Sequence, residues 1–125
     1  MKISQQLQSL LAAQKSTCSI LNILDHDSKH KNFTVVCLAS GHKEYLRNLK
    51  TNSLLVISDD IYSKHGIWSY LAFNSLQDYL KFKFDGSIHP VIFDFEYPTF
   101  DACLNAALAD SKQNAHLFNS SIKEI

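Results

Sequence analysis

Two adjacent acids, Asp59 and Asp60, close the apolar run "SLLVISDD", and Tyr62 and His65 follow within a few residues. Carboxylates beside a histidine can hold a divalent cation or move protons in a hydrolysis. The spacing argues against a shared ion, because neighbours on an extended chain point to opposite faces. The segment "DDIYSKHG" (59–66) therefore reads first as a turn between two buried strands, with Asp side chains bonding local backbone and Gly66 supplying positive φ. As an edge that carries Asp59, Asp60, Tyr62 and Trp68, it is also a candidate surface for a protein partner.

A second acidic pair, Asp94 and Glu96, stands in "HPVIFDFEYP" (89–98). Phe93, Phe95 and Tyr97 alternate with the acids, which predicts a strand with an aromatic face towards the core and an acidic face outward. Acids two apart on a strand share a face and could form a catalytic pair. No lysine follows at the spacing of a restriction-type nuclease core, so the retained reading is an acidic stripe for a basic partner. A basic counterpart, Lys43, Arg47 and Lys50, recurs at i, i+4 and i+7 and predicts one face of a short helix over 41–50. Arg47 is the chain's one arginine, a residue type enriched at interface hot spots.

The remaining reactive residues carry weaker patterns. His26 and His30 have the spacing that grips a metal on a helix, but "DHDSKH" reads as a charged loop without an accompanying catalytic glutamate. Cys18, Cys37 and Cys103 are far apart and set among apolar neighbours, as reduced thiols acting as small hydrophobes are. The three glycines each stand alone, so there is no glycine-rich phosphate loop, and Ser40 sits in no nucleophile elbow. No cofactor and no metal are expected.

The elements that would position these residues follow from periodicity. Ile3, Leu7, Leu10 and Leu11 share a helical face and predict a helix over 3–15. "CSILNIL" (18–24) and "FTVVCLA" (33–39) predict an antiparallel pair joined by a long polar loop. "SLLVISD" (53–59) predicts a strand buried on both faces, and "GIWSYLAF" (66–73) another. Ser75 and Thr99 each follow a strand-like segment and predict N-caps for helices near 75–83 and 99–112. This gives about five strands and four helices: an α+β domain, or a small mixed-sheet α/β domain, spanning 1–125, with a tail from 113 that docks or frays.

Bulk properties narrow the function classes. At 125 residues and 46% hydrophobic, the chain can bury a core without disulfides. Twelve basic and twelve acidic residues balance, which disfavours a duplex-binding domain because phosphate neutralisation supplies most of that affinity. The first residues lack the apolar core of a signal peptide, and no stretch approaches the ~20 apolar residues of a membrane span. The expectation is a cytoplasmic protein that works by binding another protein: a small inhibitor, such as a bacterial toxin-neutralising immunity protein facing a basic toxin domain. The alternatives are a metal-dependent hydrolase or nuclease using Asp59, Asp60 and His65, and a scaffold or ligand-sensing subunit.

Overall fold

A computed structural model describes residues 2–13, 20–26, 30–49, 53–59 and 67–118. Along these the chain forms α1 (Ile3–Ala12), β1 (Ile20–Leu24), β2 (Thr34–Leu38), β3 (Lys43–Asn48), β4 (Leu54–Ser58), β5 (Trp68–Phe73), α2 (Leu76–Asp85), β6 (Ile92–Tyr97) and α3 (Phe100–Gln113). A 3-10 turn, Ala115–Leu117, follows α3. The six strands make one sheet in sequence order, and every neighbouring pair is antiparallel. The architecture is therefore α+β, and the mixed-sheet alternative is corrected.

The strand period of two divides the apolar residues between two cores. On one face Val36, Leu46, Val56 and Leu71 pack with Leu7 of α1 and Tyr79 and Leu80 of α2. On the other, Val35, Tyr45, Leu55, Ile57 and Tyr70 pack with Phe100, Cys103 and Ala107 of α3. Helices on both faces explain why "LLVIS" has no polar alternation: all five residues of β4 are buried.

The expected helix over 41–50 is instead β3, which accounts for six strands and three α-helices among the described residues where five and four were expected. Gly41, at φ +92°, turns a tight hairpin in which its N–H donates to the Leu38 carbonyl (3.0 Å). Beyond the turn, Glu44 and Leu46 face α1 and α2, while Tyr45 faces α3. A buried glutamate disguised the strand, because its partners lie on α2, far away in sequence. Lys43, Arg47 and Lys50 consequently form no helical stripe, and Lys50 lies outside the described residues.

Both β-to-α junctions follow capping chemistry. Ser75 Oγ accepts from the Asp78 N–H (3.1 Å), and Thr99 Oγ1 accepts from the Ala102 N–H (3.0 Å). Gly86, left-handed at φ +68°, ends α2. The two outer strands, β1 and β6, each carry a register shift. Such irregularities at edges twist unpaired backbone away from further pairing. After α3, Phe118 is buried, so the tail docks at least that far. Among the described residues no helix is long and apolar enough to cross a membrane.

Candidate functional site

Antiparallel order brings the end of β4, the start of β5 and the end of β6 to one rim of the sheet. Asp59 directly follows Ser58, which pairs with Ser69; Trp68 precedes Ser69 and pairs with Tyr97. Asp59, Trp68 and Glu96, chosen from three separate stretches of sequence, thus share one end of three adjacent strands. With strands ~4.8 Å apart, the Asp59 and Glu96 backbones are about 10 Å from each other. Asp60, Tyr62 and His65, which belong to the connection between β4 and β5, lie outside the described residues.

Each member of the rim is held differently. Asp59 Oδ1 lies 3.0 Å from Nδ1 of His42, a residue just ahead of β3, and both side chains are largely buried. A carboxylate there orients the imidazole ring. Sequence reasoning missed His42; once 43–48 is a strand, its antiparallel pairing with β4 would have located it. Trp68 is half-buried, its ring packed against Phe100 (5.4 Å between centroids) and Tyr45 (6.2 Å). Rings on two sides therefore set the orientation of the indole.

Glu96 is the unusual member. Between the pairs Tyr70↔Asp94 and Trp68↔Tyr97, β6 has one residue more than β5, and Glu96 takes φ 77°. Among the described residues it is the one non-glycine with positive φ, and its side chain is exposed. The left-handed region costs a side-chain-bearing residue ~1–2 kcal/mol.

That bulge also corrects the expected alternation of β6. The extra residue returns Tyr97 to the face of Asp94, and Tyr97 Oη donates to Asp94 Oδ2 (2.6 Å). Asp94 therefore serves the α3 side of the sheet and does not join Glu96 in an outward acidic stripe. Beside it Tyr70, fully buried, donates to Asp110 of α3. Burial, then the Asp110 bond, raises the Tyr70 phenol above its ordinary range; for Tyr97 the Asp94 bond leads, followed by burial. Cys103 packs in the same layer, where burial first and Asp94 second push its thiol up to about 12. A thiol held protonated is a poor nucleophile, so Cys103 serves in the packing of α3 on the sheet.

On the opposite face, Glu44, Ser58 and Ser69 occupy one cross-strand row, all buried. The Glu44 carboxylate accepts from Tyr79 Oη (2.7 Å) and from Lys83 Nζ (2.7 Å), both on α2. This charge is spent on holding α2 to the sheet. Arg47 lies at the other end of β3 from the rim, its guanidinium 5.7 Å from the Phe33 ring centroid. Among the described residues no three of His, Cys, Asp and Glu converge on a point that could hold a metal. No family model, no curated protein and no solved structure matches this chain.

Proposed function

We propose that the chain is a protein-binding domain whose acidic and aromatic rim, built on Asp59, Trp68 and Glu96, docks against a basic protein surface. A small cytoplasmic inhibitor of a basic toxin is the form of this activity that best suits such a rim. The observation that carries the reading is Glu96. A bulge that costs conformational energy and puts an exposed acid next in sequence to the cross-strand partner of Trp68 is a feature stability alone does not ask for. At the same end of the sheet stand Asp59 and the α3 first-turn acid Asp101, with Lys43 at the start of β3. Acids aimed at a cationic cleft accelerate association and occupy the place of an anionic substrate. Trp and Tyr supply the desolvated contacts that dominate such interfaces.

The test is affinity capture from the native cells with the tagged chain, alongside Glu96→Lys and Trp68→Ala variants checked for folding. The reading expects one stoichiometric basic protein whose own activity stops on binding the native chain. Charge reversal at Glu96 should lower its association rate at least about tenfold at low salt, with the difference fading as salt rises. A partner held equally well by both variants would remove the rim from the argument.

A further inference from the structure

At the opposite end of the strands from the acidic rim lies a cleft of about 500 Å³, walled by the start of α1, the loop between β1 and β2, and the end of β3. Its size falls in the range of small-molecule sites, roughly 300–1,000 Å³. Its lining mixes apolar surface, from Ile3 and Phe33 among others, with polar groups, and the charged ones are three cations, Lys2, Lys31 and Arg47, against the single carboxylate of Asp25. Asp25 is already answered, since Ser4 Oγ donates to Oδ1 and Lys2 Nζ stands 3.7 Å from Oδ2. Those two contacts, the Ser4 bond first, hold its carboxyl below the usual range. The ion pairs among the described residues leave Arg47 and Lys31 with no carboxylate. Arg47 is half-buried, and the contact with the Phe33 ring positions its guanidinium without cancelling the charge. An uncompensated, partly desolvated guanidinium at the wall of a cleft is the arrangement that recognises phosphate bidentately.

The wall itself is anchored. His30, from the β1–β2 loop, lays its ring on Phe100 (3.9 Å between centroids, 30° between planes) and meets Tyr45 edge-on at 4.9 Å. This ties the loop that carries Lys31 and Phe33 to α3 and β3, so the cationic side of the cleft is preorganised. The start of α1 adds a smaller contribution. Its N-cap, Lys2, makes no side-chain cap bond and its first turn has no acid, which leaves Asp25 as the anion nearest those backbone donors.

We infer that this cleft binds a small phosphate monoester bearing hydroxyl groups, of the sugar-phosphate class, with the phosphate on Arg47 and Lys31 and the hydroxyls towards Asp25 and Asn48. The inference stands apart from the rim at the other end and survives its failure. The experiment is a thermal and calorimetric titration of the full chain with ribose 5-phosphate, ribose and inorganic phosphate at matched ionic strength. Ribose 5-phosphate is expected to bind saturably and raise the melting temperature, as a ligand of the folded state must. Arg47→Gln should weaken it at least about tenfold, and Lys31→Gln, at an exposed position where folding is not at stake, several-fold. Inorganic phosphate should bind about tenfold more weakly, and Asp25→Asn should narrow that gap. No saturable binding of ribose 5-phosphate up to roughly 10 mM would overturn the site. So would ribose binding as well as its phosphate, or both cation variants binding like the native chain. Equal affinity for inorganic phosphate would overturn the sugar-phosphate assignment.

Discussion

Lys83→Met isolates the charge that fastens α2 to the sheet. Methionine keeps most of the aliphatic stem and removes the ammonium, so packing changes little while Glu44 loses a partner at 2.7 Å. The Glu44 side chain is 3% exposed and that of Lys83 13%, so water can replace the lost ammonium poorly. Breaking a buried pair from one side costs about 3–5 kcal/mol. Tyr79 Oη still donates to the carboxylate at 2.7 Å, which puts the expected cost near the lower end, about 3 kcal/mol. For a chain of 125 residues that is a fall in melting temperature of about 10–15 °C. Urea titration followed by the fluorescence of Trp68, the chain's one tryptophan, measures it. The midpoint should fall with an unchanged slope. Glu44→Gln should cost less, about 1–2 kcal/mol, because Lys83 retains a route to solvent and the amide keeps the Tyr79 bond. The double variant should then be more stable than the two losses added predict, by about 1.5 kcal/mol or more. A Lys83→Met cost below about 1 kcal/mol, or strict additivity, would show that solvent screens the pair and that apolar packing alone holds α2.

Four further outcomes are expected. Cys103 should resist a thiol reagent in the native chain at pH 8 and react on unfolding, because burial pushes its thiol up to about 12. Since the folded state favours the protonated form, that contribution is complete below about pH 9 and is lost as pH climbs towards 12; a urea series across this range should show Cys103→Ala flattening the decline. Asp25 has the opposite sign: its depressed folded pKa adds stability above the ordinary carboxyl range that disappears as pH falls below about 4, so Asp25→Asn should flatten the acid limb of a melting-temperature profile. Ser75→Ala should cost about 1 kcal/mol in chemical denaturation through loss of the α2 N-cap. Glu96→Gly should leave stability unchanged or raise it by up to about 1 kcal/mol while reducing partner association, separating the strained residue's energetic cost from its use.

What was legible in the sequence is what local chemistry decides. Ser75 and Thr99 cap helices because a hydroxyl three residues ahead of an unpaired N–H does so in any fold, and "LLVIS" is buried on both sides because it offers no polar face. The misread element, β3, was decided at a distance. Read alone, "GHKEYLRNLK" gives Tyr45, Leu46 and Leu49 a helical face, and a glutamate on a strand looks like a solvent residue. Lys83 and Tyr79 lie 39 and 35 residues away, and they are what make Glu44 a core residue. The rim was half legible for the same reason. Asp59 and Trp68 could be paired across a turn, but the extra residue in β6 leaves no mark in the alternation it breaks. "FDFEY" therefore sorted Asp94 and Glu96 together although the bulge separates them.

The separation matters because it assigns each acid one task. Asp94 is bonded by Tyr97 within β6, and Asp110 of α3 is bonded by Tyr70 of β5, so one carboxylate is consumed in bracing the bulged strand and the other in joining α3 to the sheet. Glu44 is consumed by α2. Glu96 has no such internal duty among the described residues, yet the backbone is strained at this position, next in sequence to the cross-strand partner of Trp68. Arg47 mirrors it at the far end of the sheet, set against the Phe33 ring and in no ion pair among the described residues. A chain with no net charge thus keeps opposite, uncommitted charges at the two ends of its strands. Residues held in place by the fold and not neutralised by it are the ones to expect at surfaces that meet something else.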